Sequence, residues 1–205
     1  MAKDRKITQL GYLILSLIIL LFLAVALLMM ASPPQTLLGF LIRLLGLWGL
    51  AALAVAAIIT PFLKEIKKVF GRSFLGMHHF FSFAGLILIT LHPVSAALQA
   101  MDLSVFVPVF DSWTDFWIFA GRPALYILYI ALIAVLIRRK VKPWRAIHAL
   151  MYVVLLFGFV HGTYIGTDFA ASPVFVIFSV LFGLAVISFL AKRVQQFKIN
   201  KGSNG

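Results

Sequence analysis

The sequence contains no cysteine, and this absence removes several kinds of chemistry at once. Without a thiol the chain can form no disulfide, no thiolate-ligated metal site, no iron–sulfur cluster and no covalent attachment of a c-type haem. Charge is also scarce, because only 12% of the 205 residues are charged whereas 63% are hydrophobic. A soluble domain of this size could not bury so much apolar surface, so we expect the solvent of this chain to be lipid.

Positive charge is absent from every second connection between the apolar runs. The connections 32–36, 99–114 and 166–172 contain no Lys or Arg, whereas the chain ends and the alternate connections are basic. Such alternation is the positive-inside pattern of multi-pass membrane proteins. We therefore interpret the net charge of +12 as a topology signal that places both termini in the cytoplasm. The expected partner is membrane lipid, and no nucleic acid partner is expected.

Six apolar runs are long enough to cross a bilayer, which takes about 20 helical residues for roughly 30 Å of hydrocarbon. The predicted spans are 7–31, 36–61, 74–98, 114–137, 144–167 and 173–191. The sequence thus predicts an all-α integral-membrane bundle of six transmembrane helices. We expect it to be a multi-pass protein of the cytoplasmic (inner) membrane of a prokaryote.

The first apolar run follows a basic start, as a signal peptide would. Its core from Leu10 to Ala31 is longer than the usual core of such peptides, and no small-residue cleavage motif precedes Pro33. We therefore expect a retained anchor helix. The predicted organisation is an anchor helix with a short outer loop, a helical membrane domain and a basic cytoplasmic tail, at 1–36, 37–191 and 192–205.

All five histidines lie in two of the predicted spans. The third span contains His78, His79 and His92, and the fifth contains His148 and His161. The intervals from His78 to His92 and from His148 to His161 each rise about 20 Å along a helix. Both spans run outward from the cytoplasm, so His78 and His148 share an inner level and His92 and His161 share an outer level.

Two imidazoles at each of two levels match the requirement of two stacked bis-histidine haems. A haem iron with two imidazole ligands needs them on opposite faces of the ring, hence on two facing helices. Zinc fits less well, because neither level has a cysteine or a nearby carboxylate to complete a tetrahedral site. A proton relay would not need equal depths on two helices. The pattern predicts two haem b groups.

Helical phase bears on the choice of ligand at the inner level. At about 100° per residue, 14 residues return to within roughly 40° of the starting face, whereas 13 residues end roughly 140° away. The spacing to His92 therefore favours His78 as ligand and leaves His79 as its rival. The fifth span needs a tilt or an irregularity to present both of its histidines inward, and Gly158 lies just before His161.

Arg43 and Arg122 are the only Lys or Arg residues within the predicted spans apart from Arg145 at the start of the fifth, and both lie at the depth of the outer histidines. An unpaired guanidinium is costly at that depth, so a partner is expected. The planar fork of arginine matches a carboxylate, and we expect one or both residues to bind haem propionates. The alternatives are snorkelling to the outer interface or an ion pair with Asp115 or Asp168.

At these residues the sequence resembles the ferric reductase-like transmembrane domain family. This family includes NADPH oxidases, eukaryotic ferric reductases and the haem subunit of bacterial methionine sulfoxide reductase systems. The resemblance covers roughly 37–191 and rests on H-x13-H in the third span, H-x12-H in the fifth span and the W-x3-H-x3-Y motif of Trp144, His148 and Tyr152. It implies that His78 and His148 bind an inner haem and that His92 and His161 bind an outer one.

The resemblance implies an oxidoreductase, a b-type cytochrome that carries electrons across the membrane. The chain lacks the flavin- and NADPH-binding region of the oxidases, so the donor would be a separate cytoplasmic flavoprotein or a quinol. The external acceptor would be ferric iron, oxygen or a redox protein. One alternative is the haem subunit of a methionine sulfoxide reductase-type repair system, fed by quinol or flavin. An alternative of another class is a proton or metal transporter that uses the membrane histidines.

Overall fold

The computed structural model describes residues 7–70, 74–170 and 172–202, and every regular element in these ranges is helical. The helices are α1 (Gln9–Met29), α2 (Leu37–Ile59), α3 (Leu63–Phe70), α4 (Phe74–Ala100), α5 (Trp113–Ile118), α6 (Gly121–Leu136), α7 (Trp144–His148), α8 (Met151–Ile165), α9 (Thr167–Ala170) and α10 (Ser172–Gly202). Two short 3₁₀ turns occupy Thr60–Phe62 and Leu103–Phe106. The all-α class is confirmed for this part of the chain.

Five helical segments are long and apolar enough to cross a membrane. They are Gln9–Met29, Leu37–Phe62, Gly76–Ala100, Trp144–Ile165 and Pro173–Gln195. Each corresponds to one of the predicted spans. The remaining prediction, 114–137, is divided into α5 and α6, and α6 alone has 16 residues. At 1.5 Å per residue α6 is about 24 Å long, which is shorter than the hydrocarbon core.

A proline explains the division between α5 and α6. Pro123 has no N–H to donate to the carbonyl of Phe119, and this carbonyl instead accepts the N–H of Arg122 at 2.9 Å. The carbonyl of Ile118 thereby loses the N–H four residues later that a continuous helix would supply. The interruption thus frees one backbone acceptor in the interior of the bundle.

The fifth predicted span is also interrupted, between α7 and α8. Three N–H groups between positions 150 and 153 bond to the carbonyl three residues back, at 2.9–3.1 Å. Such winding advances about 120° per residue instead of 100°, so each tight step rotates the following helix by about 20°. The rotation brings His148 and His161 closer to one face. The irregularity that the sequence required is therefore present, and it lies at Leu150, not at Gly158.

The helix α2 lies at the centre of the bundle, and all of its residues from 49 to 56 are buried. Small residues let α4 approach it closely. A Cβ on Gly49 of α2 would lie 2.9 Å from the backbone nitrogen of Ile89, and one on Gly85 of α4 would lie 3.1 Å from that of Leu53. Close approach through glycine is a common way for membrane helices to pack. The contact fixes α4, which carries three of the histidines.

The short helix α3 was not predicted from the sequence. It is amphipathic, because Ile66 and Phe70 are buried whereas Lys67 is exposed. The carbonyl of Val69 accepts hydrogen bonds from the N–H of Thr8 at 2.9 Å and from its hydroxyl at 3.0 Å. The start of α1 and the connection between α2 and α4 therefore lie at the same end of the bundle.

Two helices extend beyond their predicted ends. The helix α4 continues to Ala100 and stops where Met101 adopts a left-handed φ of 51°, with the N–H of Asp102 donating to the carbonyl of Ala97 at 3.2 Å. This is the usual hydrogen-bond pattern of a helix C-terminus. The helix α10 continues to Gly202, so the first part of the predicted tail 192–205 is helical.

Large apolar side chains remain exposed along the long helices. On α10 they form one face at helical spacing, Val176, Val180, Leu184 and Ile187, each at least 45% exposed. Monomeric soluble proteins rarely expose continuous apolar patches of this extent. The chain is a multi-pass membrane protein with lipid against these faces.

Candidate cofactor site

The four histidines that the sequence singled out as ligands share one hydrogen-bond arrangement. The Nδ1 atom of each faces a backbone carbonyl on another helix. The pairs are His78 with Ala56 at 3.2 Å, His92 with Ile42 at 2.8 Å, His148 with Ala131 at 3.4 Å and His161 with Ile118 at 2.7 Å. A carbonyl can only accept, so each Nδ1 carries the proton and Nε2 is the unprotonated nitrogen of each ring. The Nε2 atom of His78 lies 3.4 Å from the hydroxyl of Ser82. This is the arrangement that metal-binding histidines adopt.

The outer histidines His92 and His161 line a single cavity of about 390 Å³. Helices α2, α4, α6 and α8 form its walls, and most of its lining residues are apolar. A volume of roughly 300–1,000 Å³ is typical of small-molecule and cofactor sites. Arg43 and Arg122 line the same cavity, so the structure brings together all four outer residues identified from the sequence.

At the inner level the rings of His78 and His148 face each other. Their centres are 6.5 Å apart and their planes meet at 83°. This separation is close to the roughly 6 Å expected between the ring centres of two imidazoles that bind one metal at about 2.0–2.1 Å from opposite sides. His79 is exposed, and its ring centre lies 6.0 Å from that of His78. The geometry favours His78 over His79 as the inner ligand.

The helices α4 and α8, which carry the outer pair His92 and His161, make little direct contact with each other. Within the described residues α4 packs mainly on α2, and α8 packs on α2, α5, α6 and α10, without extensive direct contact between α4 and α8. A flat cofactor with one ligand on each face requires such a separation. The position of these two helices is therefore compatible with a haem at the outer level.

Arg43 already has a carboxylate partner. Its Nε donates to Oδ2 of Asp168 at 2.8 Å, and its Nη2 donates to Oδ1 of the same residue. Further N–H groups of Arg43 donate to the carbonyls of Met29, at 3.2 Å, and Ser32. Asp168 is only 4% exposed. This ion pair is the alternative left open for Arg43, and a propionate would have to compete with Asp168 for the guanidinium.

Arg122 differs from Arg43, because no carboxylate in the described part of the chain forms an ion pair with it. Its guanidinium lies 4.3 Å from the ring centre of Phe119, and Nη1 donates to the carbonyl of Val107 at 2.8 Å. The remaining N–H groups at the cavity are available to an anionic group of a ligand. The structure thus leaves Arg122 as the better candidate for a propionate.

The connection between α4 and α5 contributes to the cavity, which the sequence did not indicate. Val105 and Phe106 line it, and the Tyr126 hydroxyl donates to the carbonyl of Phe106 at 2.9 Å. The loop begins at Asp102, whose carboxyl pKa is lowered mainly by the hydrogen bond from the Ser104 hydroxyl. An apolar loop without a motif carries no signal that would have identified these residues.

In the residues that the structure describes, no three His, Asp or Glu side chains come together as a metal site of their own. Each level offers two imidazoles, and the cavity at the outer level offers room beside them. The residues present therefore fit a metal that brings its other ligands with it, as haem does. Comparisons with protein-family models, curated proteins and solved structures gave no match for this chain.

Proposed function

We propose that this protein is a b-type cytochrome of the ferric reductase-like transmembrane domain family that carries electrons across the membrane through two haems. One observation supports the proposal above all. Four imidazoles at two levels each direct Nδ1 to a backbone carbonyl of another helix, so that Nε2, the nitrogen that would bind iron, is unprotonated. Bound haem supplies the one-electron chemistry of the proposed activity.

The chain's own residues hold the two groups and set their environment. His78 and His148 bind the inner iron, and His92 and His161 bind the outer iron. The hydrogen bonds from Nδ1 fix the rotation of each ring and make Nε2 a stronger donor. The mostly apolar lining of the outer cavity lowers the local dielectric constant, so nearby charges act strongly on the reduction potential.

The arginines have unequal parts in this proposal. Arg122 binds an outer propionate, since it lines the cavity without a carboxylate partner among the described residues. Arg43 lines the same cavity, but its guanidinium already donates two hydrogen bonds to the carboxylate of Asp168. Arg43 is therefore the secondary candidate, which would reach a propionate only by sharing its N–H groups.

The proposed topology has six crossings, with α5 and α6 forming the fourth together. Thr8 contacts Val69 at one end of the bundle. At the other end, Arg43 joins the carbonyl of Ser32 to Asp168. Alternate connections thus gather at opposite ends of the bundle. From the positive-inside charge pattern we assign the termini to the cytoplasmic side of a prokaryotic inner membrane. Electrons would pass from a cytoplasmic flavoprotein or a quinol to ferric iron, oxygen or a redox protein outside.

The first test is a pyridine-haemochrome measurement on protein purified from haem-replete cells, with absorbance spectra before and after dithionite. We expect about two b-haems per chain. His92→Ala and His161→Ala should each retain only the inner haem, and His148→Ala only the outer haem. The matched control is His79→Ala, which removes an adjacent exposed imidazole and should retain both.

The outcomes separate the parts of the proposal. A wild-type protein without a Soret band would refute it and would favour a transporter role for the histidines. Loss of a haem in His79→Ala together with two haems in His78→Ala would reverse the assignment of the inner ligand. One haem in the wild type would contradict the two-level arrangement.

A further inference from the structure

Two glycines lie directly against the outer imidazoles. A Cβ at Gly46 would come within 2.9 Å of Nδ1 and 3.0 Å of Cε1 of His92. A Cβ at Gly121 would come within 2.9 Å of both Cδ2 and Nε2 of His161. Real Cβ contacts are almost never shorter than 3.0 Å, so any other residue at 46 or 121 would displace the ring.

Each glycine also lies a few residues after the backbone carbonyl that accepts the hydrogen bond of the neighbouring histidine. Gly46 follows the acceptor Ile42 by four residues, and Gly121 follows the acceptor Ile118 by three. Within α2 each Cα–Cβ bond tilts toward the N-terminus, so a side chain at position 46 would lie over the carbonyl of Ile42. Glycine at 46 uncovers this carbonyl for His92. Gly121 lies beyond the break after Ile118, and the missing side chain leaves room there for the ring of His161.

The inner level lacks this feature, and its hydrogen bonds are longer. The carbonyl of Ala56 is followed four residues later by Thr60, whose hydroxyl donates to the same oxygen at 2.8 Å. Nδ1 of His78 shares that oxygen at 3.2 Å and also lies 3.5 Å from the Thr60 hydroxyl, and Nδ1 of His148 lies 3.4 Å from its acceptor. The outer distances are 2.8 and 2.7 Å. The short bonds thus occur where the glycines are.

From this difference we infer that Gly46 and Gly121 are positioning residues for the outer haem ligands: they set short hydrogen bonds from Nδ1 and thereby lower the reduction potential of the outer haem. The inference rests on the proposed function. A stronger bond from Nδ1 makes Nε2 a better donor to iron, and a better donor stabilises the oxidised state more than the reduced one. The inner haem, with longer bonds, lacks this contribution.

The test replaces each glycine with alanine and follows both haems by redox titration and by electron paramagnetic resonance. Gly46→Ala and Gly121→Ala should raise the potential of the outer haem and convert part of it from low spin to high spin, or remove it, with the inner haem unchanged. The His161→Ala protein, which should keep only the inner haem, assigns the signals. The matched control is Gly183→Ala, because a Cβ at Gly183 meets nothing within 4 Å.

A reciprocal variant keeps the test decisive even if the alanine variants do not fold. Thr60→Ala removes the hydroxyl that competes for the Ala56 carbonyl, so the bond from His78 should strengthen and the inner potential should fall. Unchanged spectra and potentials in Gly46→Ala and Gly121→Ala, or the same shift in Gly183→Ala, would overturn the inference. An inner potential that does not fall in Thr60→Ala would also count against it. These outcomes presuppose haem in the wild type, so they are distinct from failure of the proposed function.

Discussion

Replacement of Asp168 with alanine removes the carboxylate partner of Arg43 and leaves the rest of the cavity wall in place. In the wild type both oxygens of Asp168 accept from the guanidinium, and Asp168 is 4% exposed whereas Arg43 is 18% exposed. The variant would therefore keep a guanidinium in a mostly dry site with two of its acceptors missing. The carbonyls of Met29 and Ser32 would remain.

The expected loss of stability follows from this geometry. Removal of one partner of a buried ion pair costs about 3–5 kcal/mol, because the other charge stays buried. The partial exposure of Arg43 and its two remaining carbonyls reduce the cost, so we expect about 2–4 kcal/mol. For a chain of this length that corresponds to a fall of roughly 5–15 °C in Tm.

The assay is thermal unfolding in detergent, followed by tryptophan fluorescence, for Asp168→Ala and for the double variant Arg43→Leu/Asp168→Leu. The double variant leaves no unpaired charge and should lie within about 1 kcal/mol of the wild type. Asp111→Ala is the control, because it removes an exposed carboxylate of another outer connection. An unchanged Tm in Asp168→Ala, or a double variant less stable than Asp168→Ala, would refute the ion pair and reopen Arg43 as a propionate ligand.

Three further predictions concern topology, potential and pH. The chain has no cysteine, so single-cysteine variants need no background removal: a membrane-impermeant maleimide added to intact cells should label Asp111→Cys and not Lys140→Cys. Arg122→Leu should lower the outer haem's potential by tens of millivolts in a redox titration, since a nearby cation stabilises the reduced state. Ser104→Ala should return the pKa of the exposed Asp102 carboxyl toward its usual value, as measured by carbon-13 NMR titration. Because the folded-state pKa of Asp102 is depressed, any contribution of this carboxyl to stability is present above its unfolded pKa and is lost as pH falls through the folded one.

The parts of the fold that follow from composition were predictable from the sequence. Apolar runs of span length appear as long helices because a backbone in lipid must satisfy its own hydrogen bonds. The similar histidine spacing in two spans likewise predicted that His92 and His161 would share one level and His78 and His148 another. In the structure His92 and His161 line one cavity and the rings of His78 and His148 are neighbours. These are consequences of helical rise, which varies little.

The structure departs from the sequence-based prediction where a single residue or a tertiary contact determines the local structure. Pro123 divides the fourth span, although loss of a single N–H leaves the apolar pattern unchanged. The tight turn at Leu150 has no glycine or proline of its own, so only the packed structure shows it. The sequence left two aspartates as possible partners of Arg43. Only the packed structure shows that α9 brings Asp168 into contact with Arg43 of α2.

The interruption at Pro123 and the position of His161 are physically linked, and this link can be tested. The N–H of Arg122 bonds to Phe119 because Pro123 cannot, and the freed carbonyl of Ile118 accepts Nδ1 of His161 at 2.7 Å. In Pro123→Ala the new N–H of residue 123 can donate to the carbonyl of Phe119. The N–H of Arg122 can then donate to the carbonyl of Ile118, as in a continuous helix. Alanine favours a continuous helix by about 3 kcal/mol over proline, whereas a hydrogen bond contributes about 1 kcal/mol net, so the helix should win.

We therefore expect Pro123→Ala to retain or gain thermal stability while the ligand bond of His161 weakens, with a higher outer potential in a redox titration and an unchanged inner haem. If Pro123→Ala instead destabilised the whole fold, Tm would fall and both haems would be disturbed together. An outer haem identical to that of the wild type in a stable Pro123→Ala protein would show that the carbonyl of Ile118 can serve both donors, and that the break in the helix does not act on the ligand.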